Sequence, residues 1–179
     1  RRQGPGGGEG GGGPAGLGFS GRGGYTPAMH LVLYTPEIPP NTGNVARLCA
    51  ATRTPLHLVE PLGFSLEDRY LRRAGLDYWP HVDKAVWPDF ASYLAAYPER
   101  RIVLTSARQG VRYDRFAYAP ADTLVLGPET RGLPEEILAA HPHRVRLPIW
   151  GQVRSLNLST AAGILLYEAL RQSGGFPEE

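Results

Sequence analysis

Short apolar runs alternate with helical patterns along most of the chain, and that alternation limits the possible folds more than any other feature. Strand-like runs recur at 30–34, 55–60, 101–105, 123–126 and 144–147. Helical patterns lie at 44–52, 65–74, 90–97, 134–140 and 158–171. A strand that returns in parallel needs a crossover helix, so the pattern predicts one α/β domain with a mostly parallel sheet. No internal repeat and no second domain is evident. Within this frame, 122–134 (DTLVLGPETRGLP) is the junction of most interest. The run Thr123-Leu124-Val125-Leu126 stops at Gly127. Gly132 and Leu133 then lead to Pro134, suited to the first helical position, with Glu135 and Glu136 favourable to the helix dipole. Strand, glycine turn and helix start bring a ligand close to backbone N–H groups, where a missing Cβ leaves room.

The first 28 residues stand outside the pattern. They hold 13 of the 23 glycines and almost nothing apolar, as a flexible coil would. Met29, the single methionine, precedes the first strand-like run, so it is expected to be the natural start, with 1–28 a tail or upstream sequence. No signal-peptide core precedes it. Three arginines and one glutamate in this tail account for the net +2, leaving 16 basic and 16 acidic residues beyond it. Global charge therefore gives no pointer to a nucleic-acid partner. The bases beyond the tail are fifteen arginines and Lys84. Arginine forks suit phosphate wherever they cluster. One cysteine, Cys49, excludes a disulfide framework and fits a reducing cytoplasm, and no run approaches transmembrane length.

Several segments carry polar chemistry. The loop 36–44 contains three prolines and should be extended, with Asn41, Thr42 and Asn44 as possible caps for a helix bearing Arg47. Ser65 to Asp68 reads as a helix start with Asp68 at the third position of a capping box. Arg69, Arg72 and Arg73 then share one face, and Gly75 closes the helix. Residues 76–100 suggest one amphipathic helix, with Trp79, Trp87, Phe90 and Tyr93 packing. Arg108, Arg112 and Arg115 fall in an expected loop. His141 and His143 lack the cysteine or carboxylate company of a metal site. The block 147–160 is densest: a Pro/Gly loop, then Arg154, Ser155, Asn157, Ser159 and Thr160 before an apolar helix. Capping explains one or two of these polar residues, not all.

Three blocks then stand in order: 38–50 (IPPNTGNVARLCA), 124–134 (LVLGPETRGLP) and 147–169 (LPIWGQVRSLNLSTAAGILLYEA). Together they resemble the signature motifs of the SPOUT superfamily, in its TrmH-type branch of RNA ribose 2′-O-methyltransferases. The match over 72–79 (RRAGLDYW) and the short length are similar to the TrmL type. Members of that type methylate the wobble cytidine or uridine ribose of leucine tRNAs. The likeness spans 29–174, leaving 175–179 as a C-terminal tail.

The resemblance implies a deep C-terminal trefoil knot, which composition and periodicity do not indicate. It implies S-adenosylmethionine as cofactor, held by Leu104, Gly127, Gly132, Leu147 and Ser155, much of it through main chain. It also implies a homodimer whose site is completed across the interface, with the helix beginning at Leu158 as part of that interface. Arg47 would act on the 2′-hydroxyl, with Asn44, Arg154, Ser155 and Asn157 around it. Guanidinium holds its proton in proteins, so a clamp on phosphate and developing alkoxide suits Arg47 better than a base. Glu129 is expected to fix its loop. Arg69, Arg72, Arg73, Arg108 and Arg154 are the candidate RNA contacts. The alternatives are another tRNA site or rRNA as substrate, and a non-catalytic RNA-binding protein of this fold. A nucleotide-phosphate loop at 122–134 is disfavoured, since no GxxxxGK[ST] occurs and Lys84 is remote.

Overall fold

The computed structural model describes residues 28–67, 69–75 and 78–177. Among these, β1 (His30–Tyr34), β2 (Leu56–Val59), β3 (Lys84–Trp87), β4 (Ile102–Thr105), β5 (Val111–Arg112), β6 (Thr123–Leu126) and β7 (His143–Arg146) form one sheet. Its order is β3-β2-β1-β6-β4-β7-β5, and every pairing is parallel. Five helices flank it: α1 (Pro39–Thr52), α2 (Arg69–Gly75), α3 (Phe90–Ala96), α4 (Glu135–Ala140) and α5 (Leu158–Ser173).

The central strands alternate their side chains between two cores. Leu31, Leu33, Leu124, Leu126 and Val103 face α1 and α5, packing on Val45, Cys49, Leu165 and Leu166. Val32, Val125, Ile102 and Leu104 face α3 and α4, packing on Phe90, Tyr93 and Leu138. Both faces are covered, which is why these strands read as continuous apolar runs. Helix α1 lies against both α2 and α5.

Two strands depart from the sequence reading. β3 lies in the 76–100 stretch, and β5 lies where a loop bearing Arg108, Arg112 and Arg115 was expected. Both are sheet edges: β3 is four residues long, opens on Lys84 and alternates exposed and half-buried residues, and β5 has two residues, so neither shows a long buried apolar run. Helix α1 begins a turn early. Pro39 and Pro40 occupy its first positions, where a missing N–H costs nothing, and Asn41, Thr42 and Asn44 lie inside it rather than capping it. The connection from β1 to α1 is therefore short, 35–38, and its last residue, Ile38, is extended, as a residue before proline prefers.

Pro134 stands at the N-cap of α4, one place before its first helical residue, with Glu135 and Glu136 in the first turn. Helix α2 starts at Arg69, later than the expected 65, and ends at Gly75. Asp68, assigned to a capping box, lies outside the described residues, as do 1–27 of the tail, the side chain of Arg72, and 178–179.

Candidate functional site

The sheet order sets β6, β4 and β7 side by side, so the segments leaving their carboxyl ends are neighbours. Gly127 follows β6 and Leu147 follows β7, both half-buried, while Leu104 lies near the end of β4. Leu104 is fully buried, so its side chain belongs to the core and only its main chain faces the edge. This carboxyl edge is where open α/β sheets bind ligands.

One hydrogen-bond junction ties the three sequence blocks together there. The Glu129 carboxylate accepts from the backbone N–H of Glu37 (2.8 Å) and of Ile38 (3.1 Å). It therefore caps α1 from 91 residues away, placing negative charge at a helix N-terminus that lacks a side-chain cap of its own. Asn41 Nδ2 also donates to Glu129 (3.2 Å), and Asn41 Oδ1 accepts from Asn157 Nδ2 (2.9 Å). Asn157 Oδ1 in turn accepts from the N–H of Ser159 (3.0 Å) and Thr160 (3.3 Å), capping α5. In the reverse direction, the Glu37 carboxylate accepts from Thr130 N–H (3.0 Å) and Thr130 Oγ1 (2.9 Å). Glu129 and Glu37 thus hold the β6–α4 loop and the start of α1 against each other.

The glycines of the β6–α4 loop have reasons within the chain itself. A Cβ on Gly127 would lie 2.5 Å from Leu133 N and 2.6 Å from the Gly132 carbonyl carbon, and Gly132 has φ +70°. The loop folds back on its own main chain at a distance that no other residue allows.

Asn44 and Arg47 are exposed, one turn apart on α1, and the Arg47 guanidinium lies over the Tyr78 ring, 4.8 Å from its centroid. Residues 150–157, including Arg154 and Ser155, are all exposed. The arginines chosen as RNA contacts come from segments that follow different strands. Exposed Arg69 and Arg73 are on α2, after β2, whereas exposed Arg108 follows β4, with β1 and β6 between those strands. Arg69 itself donates to Tyr70 OH (2.9 Å). Sequence reasoning missed Glu37 and Tyr78, and took Asn41 only as a cap. No local signal reveals them, because their partners are 31 to 116 residues away: Arg47 for Tyr78, and Glu129, Thr130 and Asn157 for the others.

A parallel sheet whose carboxyl edge gathers three loops around one polar junction defines an α/β ligand-binding protein. Comparison with known proteins makes that class specific. Residues 28–167 match the SpoU rRNA Methylase family, and the chain belongs to it. It is 54% identical over 144 residues to the tRNA (cytidine(34)-2'-O)-methyltransferase of Methylovorus glucosotrophus, covering 79% of this chain and 94% of that one. Against the Escherichia coli K12 protein of the same name, identity is 44% over 148 residues, covering 82% and 94%. A solved structure concerned with 2-OH methylation of C/U34 on tRNA superposes with a TM-score of 0.78 at 51% identity, covering 81% of this chain and 95% of that one.

Proposed function

We propose that the protein transfers a methyl group from S-adenosylmethionine to the ribose 2′-oxygen of the wobble nucleotide of tRNA, cytidine or uridine, with leucine tRNAs as acceptors. One observation carries this reading: Asn41 and Glu129 join the three motif loops in a chain that matches relatives of that activity over nearly their whole length. The family description speaks of rRNA, but the relatives at 44–54% identity are tRNA enzymes.

The residues at the carboxyl edge fit the cofactor. Half-buried Leu147, Pro148 and Ile149 offer apolar walls, and Gly127, Gly132, the main chain near Leu104 and the exposed Ser155 offer polar edges. When bound, S-adenosylmethionine supplies an activated methyl group, so the protein's work is positioning and one proton. Arg47, braced on Tyr78, clamps an RNA phosphate and stabilises the negative charge that develops on the 2′-oxygen. Arg154 and Asn44, both exposed, complete the hydroxyl's surroundings. Asn157 holds the third loop in register through Asn41.

A second copy is expected to cover exposed apolar residues of α5 and of the segment before it, Ile164 and Tyr167 on the helix and Trp150, Val153 and Leu156 ahead of it, of which Trp150 is 91% exposed. In that homodimer arginines from both copies would reach one RNA. The resemblance also supports a C-terminal trefoil knot and a cytoplasmic site of action. Among the described residues, no helix is long and apolar enough to cross a membrane.

Labelled methyl transfer to unmodified tRNA tests the reading. Arg47→Ala is expected to lower kcat by about a hundredfold or more, the scale of a lost charge stabiliser, with cofactor affinity kept. A variant as active as the wild type would contradict the assigned role.

A further inference from the structure

An open groove of about 700 Å³ lies beside the site, between the carboxyl ends of β2 and β3 and the start of α2. Pro61, Leu62, Phe64, Leu66 and Pro88 give its lining apolar surface, and Glu60 and Ser65 make the rest of it polar. It is built into the same sheet edge as the polar junction. Glu60 N–H donates to Trp87 O (2.9 Å), and Gly63 N–H donates to Pro36 O (2.9 Å). Pro36 leads directly into Glu37 and Ile38, the two residues that Glu129 holds. The groove wall and the anchored start of α1 are therefore one continuous surface.

The chemistry of the lining selects its occupant. A phosphate would meet the Glu60 carboxylate in a lining that holds no Lys or Arg, and would be repelled. A nucleobase has flat apolar faces and a polar edge, which is what such a lining matches. Enzymes that act within single-stranded RNA hold splayed bases by stacking and by contacts to their edges. Exposed Arg69 and Arg73 on the adjoining α2 suit the backbone of the same strand. We infer that this groove receives a nucleobase flanking the methylated nucleotide, with its face on Phe64 and an amino edge donating to Glu60. The inference rests on the functional reading above and adds a determinant of which RNA is chosen. A carboxylate accepts from the amino groups of cytosine, adenine or guanine, and finds no such group on uracil.

The test compares wild type, Phe64→Leu and Glu60→Gln in steady-state methyl transfer to tRNA, with cofactor affinity measured separately. Phe64→Leu keeps an apolar side chain in the wall but removes the ring. Its KM for tRNA is expected to rise about fivefold or more, the low end of a base–aromatic stack, with kcat and cofactor affinity unchanged. Glu60→Gln should shift preference among tRNAs differing at the flanking base. In binding titrations, 2-aminopurine at that base should be quenched by the wild type and less so by Phe64→Leu. Unaltered KM and quenching in both variants would overturn the inference and leave the groove to another occupant, such as a peptide. Failure of the wild type to methylate any tRNA would overturn the functional reading, and this one with it.

Discussion

Asn41 is the residue whose loss should reveal most about the site. It uses both ends of its amide, donating to Glu129 and accepting from Asn157, so Asn41→Ala strips a partner from two blocks at once. The expected loss is about 1–3 kcal/mol of stability, the scale of polar groups left short of a partner, read by denaturant unfolding. A loss below about 0.5 kcal/mol would mean that the junction is dispensable. Gly127→Ala is expected to be harsher on cofactor affinity than on expression, since the new Cβ collides with main chain at Leu133 and Gly132 rather than with a movable side chain. Isothermal titration with S-adenosylmethionine checks it, and unchanged affinity would contradict it. At this scale the sequence was informative where a residue acts locally. Asn157 could be read as part of the polar start of α5, and it is the cap. The reciprocal carboxylates Glu37 and Glu129 could not be paired, because nothing in a linear pattern links positions 92 apart.

Among the elements, long apolar helices and central strands were legible, and edges and starts were not. β1 and β6 lie where the apolar runs placed them, because burial on both faces favours apolar residues at nearly every position, His30 and Thr123 being the buried polar exceptions. β3 and β5 escaped notice because an edge strand needs only half its residues buried. The start of α1 was misplaced because two prolines suggest an extended loop until the helix's first turn is considered. Helix α5 shows how one element serves two surfaces. Its Ala162, Leu165, Leu166 and Ala169 are buried, while Ile164 and Tyr167 stay exposed. If the proposed homodimer uses α5, Ile164→Asp should leave the fold intact and shift the protein to monomer, as read by light scattering after gel filtration. A dimer unchanged by this substitution would remove α5 from the interface.

For the whole molecule, acid should be the most informative stress. Buried His30 and His57 lie with ring centroids 4.5 Å apart, packed with Tyr93 and Tyr97 beneath Trp87. Burial, with the charge of Arg100, holds His57 down at about 4; burial, His57 and Arg100 hold His30 at about 2. Both values lie below the ordinary 6.5, so the unfolded chain binds protons that the folded one refuses. Stability is full above about pH 6.5 and falls as pH drops toward 4 and the buried pair is forced to take up protons. Unfolding followed between pH 7 and 4 checks this, and a flat profile would contradict it. The overall fold was legible because alternation of strands and helices leaves few arrangements. The joining of its loops was not, since contacts between distant blocks form only when the sheet brings them to one edge. The central claim is that this edge methylates a wobble ribose. Transfer of labelled methyl from S-adenosylmethionine to unmodified tRNA, followed by nuclease mapping, tests it most directly. The label is expected on the 2′-oxygen of the wobble nucleotide of a leucine tRNA. Label on any other nucleotide, or none despite bound cofactor, would contradict it.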